Sequence, residues 1–199
     1  MKKILFIIVF FFACLGTTKS QNMFNFLRLS FGLLQTVDEG GYEGRFTWYN
    51  NSPATLHGLK GIWRLGERFK IGYTIHYGNN VISSLINRQR YRMYVVETGF
   101  FLEYALPKKE NWYVSFPVQL SAGSMYIPLT YVPINESNSA GYFSVEPRVQ
   151  INRTLLPWLQ TSASVGYRII SASDLYGSND SNLAGPSFSF NLIFGNFKK

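Results

Sequence analysis

The stretch that decides the fold is residues 157–170, "PWLQTSASVGYRII". Its odd positions from Leu159 to Ile169 carry mostly apolar side chains, and its even positions from Gln160 to Arg168 carry polar or small ones. Successive side chains of a β-strand point to opposite faces, so this alternation predicts a strand with one apolar and one polar face. In a soluble barrel the polar face would meet water on the outside, whereas in a membrane barrel the apolar face would meet lipid. The sequence must therefore show which face points outward.

Seven further segments show the same period of two. The eight predicted strands cover residues 41–49, 55–65, 68–77, 92–106, 112–127, 141–154, 157–170 and 187–197. Most reach the roughly 9–11 residues that a tilted strand needs to cross a bilayer. Short connections follow the second, fourth and sixth strands, and longer ones follow the third, fifth and seventh, as in outer-membrane barrels. We therefore expect an all-β fold, an eight-stranded antiparallel up-and-down transmembrane β-barrel.

The first twenty residues have the pattern of a signal peptide. Two lysines precede the apolar run of residues 4–13, and the small residues Thr18 and Ser20 suit a cleavage site, so residues 1–20 are predicted to be removed. Cys14, the only cysteine, lies in this segment; a lipoprotein acceptor is the alternative, but the bulky residues before it favour a signal peptide. Residues 21–40 fit a strand or a helical stripe and are assigned to a periplasmic or plug segment, with an additional N-terminal strand or helix as the alternative. The barrel is assigned to residues 41–199.

The composition favours contact with lipid. Aromatic residues make up 17% of the 199-residue chain and charged residues only 15%, whereas soluble domains have a charged share of about 25%. The formal net charge is +8, but Lys2, Lys3, Lys19, Lys198 and Lys199 lie in the predicted signal or at the C-terminal end, which leaves +3. We expect the remaining basic residues to lie one per strand or loop. Because they would then form no continuous basic stripe, no nucleic-acid partner is expected.

The two faces of the predicted strands differ in the size and polarity of their side chains, and this difference determines which face points outward. One face is rich in rings and branched side chains, among them Phe46, Leu59, Trp63, Phe69, Tyr73, Phe100, Leu102, Phe116, Val118, Phe143, Val149, Val165, Phe188, Phe190 and Phe194. The interior of an eight-stranded barrel is only wide enough for its own side chains, so that many rings must point outward. We therefore predict that Leu159, Val165, Tyr167 and Ile169 contact lipid.

The opposite face carries charged residues that we assign to the lumen. They are Glu43, Arg45, Lys60, Arg64, Lys70, Glu97, Glu103, Glu146, Arg148 and Arg168. Buried charges persist only when they are paired, so an inner salt-bridge network that fills the lumen is predicted, with a narrow gated ion path as the alternative. Arg168 is expected against Glu43, Glu97, Glu103 or Glu146. Pro117 and Pro147 cannot donate to a β-ladder, which predicts bulges there.

The predicted mature chain offers little chemistry. It has two histidines, His57 and His76, and no cysteine, which excludes most metal sites. His76 is followed by Tyr77 and Gly78 and is assigned to a lumen position near a strand end, and His57 to an interfacial one. We therefore expect no catalytic residue, no metal and no cofactor.

Several segments resemble a known group of proteins. They are "GGYEGRFTWYN", "GLKGIWRLGERFKIGYTIHYG", "VVETGFFLEYAL", "FSVEPRVQINRTLLPWLQTSASVGYRII" and "DLYGSNDSNLAGPSFSFNLIFGNF". Together they are similar to small, mostly uncharacterised outer-membrane barrel proteins of Bacteroidetes-type bacteria, over nearly all of residues 40–197. The resemblance implies an integral outer-membrane barrel and no established activity.

The function expected from these patterns is a non-enzymatic outer-membrane barrel with a structural or surface-interaction role through its three long loops. The alternatives are a narrow channel or small-solute transporter, and a secreted soluble barrel that binds a small hydrophobic molecule. Expected partners are outer-membrane lipid and, through Phe197 near the C-terminus, the barrel-assembly machinery. The loops show no cluster that points to one external ligand.

Overall fold

The computed structural model describes residues 37–83, 90–128, 138–171 and 180–197. Eight strands pair in chain order, and the last pairs with the first, so the sheet is a closed barrel. The strands are β1 (Glu39–Tyr49), β2 (Ser52–Arg64), β3 (Phe69–Ser83), β4 (Arg90–Ala105), β5 (Trp112–Tyr126), β6 (Ser139–Leu156), β7 (Leu159–Ser171) and β8 (Gly185–Gly195). A helix of four residues, α1 (Asp180–Leu183), precedes β8.

Every strand pair is antiparallel, including the closing pair of β1 and β8, in which Glu43 lies opposite Asn191. A sheet that closes on itself leaves no unpaired edge, which explains how strands of 11 to 18 residues satisfy their backbone groups on both sides. The predicted fold class, an eight-stranded antiparallel up-and-down barrel, is confirmed. Among the residues with described positions, no helix is long and apolar enough to cross a membrane.

The barrel begins earlier than predicted. Strand β1 starts at Glu39, so residues 39 and 40 belong to the barrel and not to the periplasmic or plug segment to which the sequence assigned them. The prediction missed these two residues because the pattern of residues 21–40 fits both a strand and a helix. Residues 1–36, which include the predicted signal peptide and most of the plug segment, lie outside the described residues.

The connection between β1 and β2 is tighter than predicted. Asn50 and Asn51 have φ angles of 48° and 58°, so two residues in the left-handed region turn the chain, and β2 already starts at Ser52. Asparagine tolerates this region, and two such residues make the type I′ turn that joins twisted hairpin strands. The other connections at this end of the barrel cover residues 84–89, 127–138 and 172–184, and we call it the loop end. The β2–β3, β4–β5 and β6–β7 connections, residues 65–68, 106–111 and 157–158, lie at the opposite end, which we call the short-turn end.

The bulges predicted at Pro117 and Pro147 are absent. Pro117 lies opposite Glu103, and Pro147 lies opposite Val118, without a change of register on either side. The alternation of buried and exposed positions also continues through both prolines. The only register shift along these ladders lies at Thr154–Leu156, next to the tight β6–β7 connection.

The two faces of the barrel have opposite chemistry. All eight strands expose large apolar side chains on the outside, and Val165, Tyr167 and Ile169 are each 53% exposed. Trp63 and Tyr73, which the register places on the same face, are buried. The inside is filled by polar and charged side chains in the middle of the barrel and by an apolar cluster at the loop end.

Candidate functional site: the charged lumen

The central part of the lumen is a layer of interlocked charges, which we call the charge layer. Its members are Glu43, Arg45, Lys60, His76, Glu97, Gln119, Glu146, Arg148 and Arg168, which come from seven of the eight strands and are at most 4% exposed. They meet because inward positions of neighbouring strands face one another at the same height, as Gln119 and Glu146 do across β5 and β6.

Arg45 is the hub of the charge layer. Its guanidinium lies 2.7 Å from Oε1 of Glu43, 3.1 Å from Oε1 of Glu97 and 2.9 Å from Oε2 of Glu146. It also donates to Oε1 of Gln119 at 2.9 Å. A planar guanidinium has five N–H donors, which suits it to bind several acceptors at once, so one side chain of β1 connects strands on the far side of the lumen.

Two further arginines complete the pairing of these carboxylates. Arg148 lies 2.7 Å from Oε1 of Glu43 and 3.6 Å from Oε1 of Glu146, and it donates to Gln119. Arg168 pairs with Glu97 and donates to the hydroxyl of Tyr49 at 2.8 Å. Each of the three carboxylates thus contacts at least two arginines, which offsets the cost of burying its charge.

Two further members of the charge layer, Lys60 and His76, lie beside Glu43. Nζ of Lys60 lies 3.2 Å from Oε2 of Glu43 and 4.6 Å from the ring centre of Phe101. Nε2 of His76 lies 3.5 Å from Oε1 of Glu43 and 3.4 Å from a guanidinium nitrogen of Arg45. The sequence placed His76 in the lumen near a strand end; the structure places it inside the charge layer.

Close packing in the lumen depends on inward glycines. A Cβ on Gly166 would lie 2.4 Å from Cγ of Arg148, and one on Gly58 would lie 2.4 Å from Cδ2 of His76. These contacts are shorter than carbon atoms tolerate, so the absent side chains provide the space that the two residues occupy.

The remaining predicted network members lie towards the short-turn end. Glu103 is buried, but its Oε1 has no hydrogen-bond partner, and it makes no ion pair within the described chain. Lys70 donates to the hydroxyl of Tyr113 at 2.9 Å and lies 3.5 Å from Oε2 of Glu39. Arg64, whose side chain is 39% exposed, also pairs with Glu39. Of the ten predicted residues, seven therefore belong to the charge layer, Arg64 and Lys70 contact Glu39, and Glu103 joins neither group.

A recess of about 620 Å³ opens at the short-turn end. Lys70, Tyr113, Gln160 and Phe197 are among the residues that line it. Phe197 is buried there against Ile62, Phe101 and Ile193, with the Arg64 guanidinium 5.4 Å from its ring centre. The recess lies on the short-turn side of the charge layer.

The loop end of the lumen is closed by apolar side chains, which we call the apolar cap. It consists of Tyr49, Ala54, Leu56, Ile82, Tyr91, Met93, Val95, Met125, Ile127, Ala140, Tyr142, Ile170 and Leu183. Met93, Met125 and Ile127 have no exposed surface. The sequence did not predict this layer, because apolar residues at inward positions near strand ends interrupt the polar pattern of that face; the signal available was the run of apolar residues at both parities in "YRMYVV".

The other groups that could take part in chemistry are the acidic side chains and His57 on the outer face. The residues with described positions contain no group of three or more His, Cys, Asp or Glu side chains that could hold a metal ion. Nδ1 of His57 lies 2.5 Å from the hydroxyl of Tyr42 on the outer face, with the two rings stacked at 6.1 Å. The near hydroxyl is a tyrosine rather than the activated serine that acyl transfer would need.

Comparison with known proteins is informative at the level of structure. No protein-family model matches the chain, and no curated protein sequence matches it. The barrel is similar to that of Neisserial surface protein A, with a TM-score of 0.59 at 8% identity over 78% of this chain and 94% of that one. It is also similar to the N-terminal β-barrel domain of Pseudomonas aeruginosa OprF, with a TM-score of 0.52 at 10% identity over 79% of this chain and 97% of that one. At these identities the likeness concerns the fold, which in all three is the β-barrel.

Proposed function

We propose that the chain is an integral outer-membrane β-barrel with a closed lumen, and that it acts without catalysis, as a structural element or through contacts made at its loop end. The observation that carries the proposal is the inversion of the two faces. Large apolar side chains are exposed around the outside, while arginine and glutamate side chains are buried within. Water disfavours that arrangement and a bilayer favours it.

The dimensions of the barrel support a bilayer-spanning position. On β4, the outward residues Tyr94 and Tyr104 lie ten positions apart, and each packs against an aromatic ring of a neighbouring strand, Tyr126 and Phe69 respectively. Ten residues span about 33 Å along a strand and about 25 Å along the axis of a barrel whose strands tilt by about 40°. This is the usual separation of the two aromatic girdles that flank the lipid-facing band.

The comparisons support the same location. Two of the structures to which the barrel is similar are outer-membrane barrel proteins, and one of these two is by name a surface protein. In the proposed orientation the short turns face the periplasm and the loop end faces outward. Export would use residues 1–20 as a signal peptide, and the barrel-assembly machinery would insert the folded strands.

The lumen contacts argue against the narrow channel. A solute would have to pass the apolar cap and then separate Arg45 from Glu43 and Glu146. Arg45 lies within 3 Å of both carboxylates. The secreted soluble barrel is also disfavoured, since Phe46, Phe188 and Phe190, each 46–57% exposed, would stand in water.

Membrane fractionation combined with gel mobility before and after boiling tests the proposal. Compact membrane barrels that remain folded in mild detergent migrate differently from the boiled chain. We expect the protein in the outer-membrane fraction with a shift on boiling. A soluble protein without that shift would contradict the proposed location.

A further inference from the structure

Two arginines stand together on the outer face of the barrel at the loop end. Arg90 and Arg92 are exposed on β4, whereas Tyr91 between them points into the lumen and is buried. The expectation that the basic residues lie one per strand or loop is therefore wrong here, because positions two apart on a strand share a face. Arg88 has the same parity in "RQRYR", but it lies outside the described residues.

No negative charge stands near this pair in the described structure. Arg92 lies opposite Val81 and Arg90 opposite Ser83 on β3. The chain has no Asp or Glu between Glu67 and Glu97, and Glu97 points into the lumen. Both arginines are exposed, and neither makes an ion pair with any residue whose position is described.

The position of Arg90 and Arg92 along the barrel axis, relative to the membrane, indicates which anion they would meet. Tyr94, two residues below Arg92 on the same face, packs against Tyr126 at 6.2 Å between ring centres and marks the loop-end girdle. Two and four residues of tilted strand place Arg92 and Arg90 about 5 Å and about 10 Å above that girdle. This is the depth of lipid headgroups, which add about 5–8 Å on each side of the hydrocarbon core.

We propose that Arg90 and Arg92 form a binding site for the phosphate groups of a glycolipid in the outer leaflet. Guanidinium groups bind phosphate oxygens in a bidentate manner, and about 7 Å separates two side chains on the same face of a strand, so one phosphate can be held at each position. The inference rests on the proposed membrane-spanning function. It adds a partner for the loop end of the barrel, namely a phosphorylated glycolipid.

The test measures lipid binding by the folded, full-length barrel in mild detergent with native mass spectrometry. The probes are diphosphoryl lipid A and the same lipid with both phosphates removed. The R90Q/R92Q variant is compared with R68Q/R153Q, which removes the same charge from exposed positions at the short-turn end.

We expect R90Q/R92Q to weaken diphosphoryl lipid A binding about thirty-fold, which corresponds to about 2 kcal/mol at about 1.4 kcal/mol per tenfold change. R68Q/R153Q should change it by less than about three-fold, and removal of the phosphates should weaken binding to the unaltered protein as much as R90Q/R92Q does. Equal binding of both lipids, or equal effects of both variants, would overturn the proposal. So would a sulfated oligosaccharide that binds through Arg90 and Arg92 while lipid A does not.

Insertion into neutral phosphatidylcholine vesicles is scored separately for every variant by the shift in gel mobility on boiling. Failure of the unaltered protein to insert would contradict the proposed function itself. Normal insertion with phosphate-independent lipid binding would overturn the glycolipid site alone.

Discussion

Arg168 on β7 pairs with Glu97 on β4, across the lumen and between strands that are not neighbours in the sheet. The hydroxyl of Tyr142 joins the pair: it accepts from Arg168 at 2.9 Å and donates to the same carboxylate at 2.8 Å. Contacts of this kind tie opposite walls of the barrel together, so the charge layer should contribute to stability as a unit.

Replacing Glu97 should be far more costly than replacing Glu103, which lies six residues further along the same face of β4. Glu97 contacts Arg45, Arg168 and Tyr142, whereas Glu103 makes no described ion pair. We expect E97Q to lower the free energy of unfolding by about 3 kcal/mol or more, since it leaves the buried Arg168 without its carboxylate partner and removes one of the carboxylates around Arg45. E103Q should lower it by about 1 kcal/mol or less. Urea unfolding in lipid vesicles measures both, and equal losses would contradict the network described for Glu97.

Arg45 should be the most sensitive cation of the lumen. R45M removes a fully buried guanidinium and leaves Glu43, Glu97 and Glu146 with fewer cations, so we expect a loss of about 3–5 kcal/mol of unfolding free energy. R153M, at an exposed position, serves as the control and should stay within about 0.5 kcal/mol. An R45M barrel as stable as R153M would show that the charge layer does not stabilise the fold.

A charge on the outer face should be costly only in the middle of the barrel. V165R places an arginine at mid-height of β7, where Val165 faces Val149 and Phe188, and we expect a cost of about 2–4 kcal/mol. L155R, near the short-turn end of β6, should cost about 0–1 kcal/mol. If the outer face met water, both exposed positions would accept arginine within about 0.5 kcal/mol.

The unaltered protein should not conduct ions in planar bilayers. The apolar cap and the charge layer both cross the lumen, and opening either one would expose buried side chains with no partner. We therefore expect insertion, verified by gel mobility, without discrete current steps. Stable steps of uniform conductance would restore the channel alternative.

The alternation of side chains was sufficient to predict the number of strands and the outward face, although β3 continues to Ser83 and β4 already begins at Arg90, where the pattern predicted 77 and 92. The constraint is geometric: a barrel of eight strands has no room inside for rings such as Phe188 and Phe190, so the parity of each strand follows. Pairing between particular charges could not be predicted in the same way. Arg168 had four candidate partners, and only the register across β4 to β7 brings it to Glu97.

The errors of sequence reasoning have physical causes of their own. Glu39 was assigned to a plug segment because the preceding residues fit two periods equally well. The apolar cap was missed because Met93 and Met125 point inward at strand ends, where polar residues were expected. Pro117 and Pro147 were expected to force bulges, yet the ladder keeps its register past both.

The most direct test of the central claim is a nitroxide scan of β7 from Leu159 to Ser171, with Cys14 replaced by serine so that each introduced cysteine is the only one. We expect collision with oxygen, which concentrates in lipid, to peak at 163, 165, 167 and 169, and to be low at 160, 162, 164 and 168. Collision with a water-soluble nickel complex should stay low along the middle of the strand. High accessibility of Val165 and Tyr167 to the nickel complex would mean that the outer face meets water, and would contradict the account.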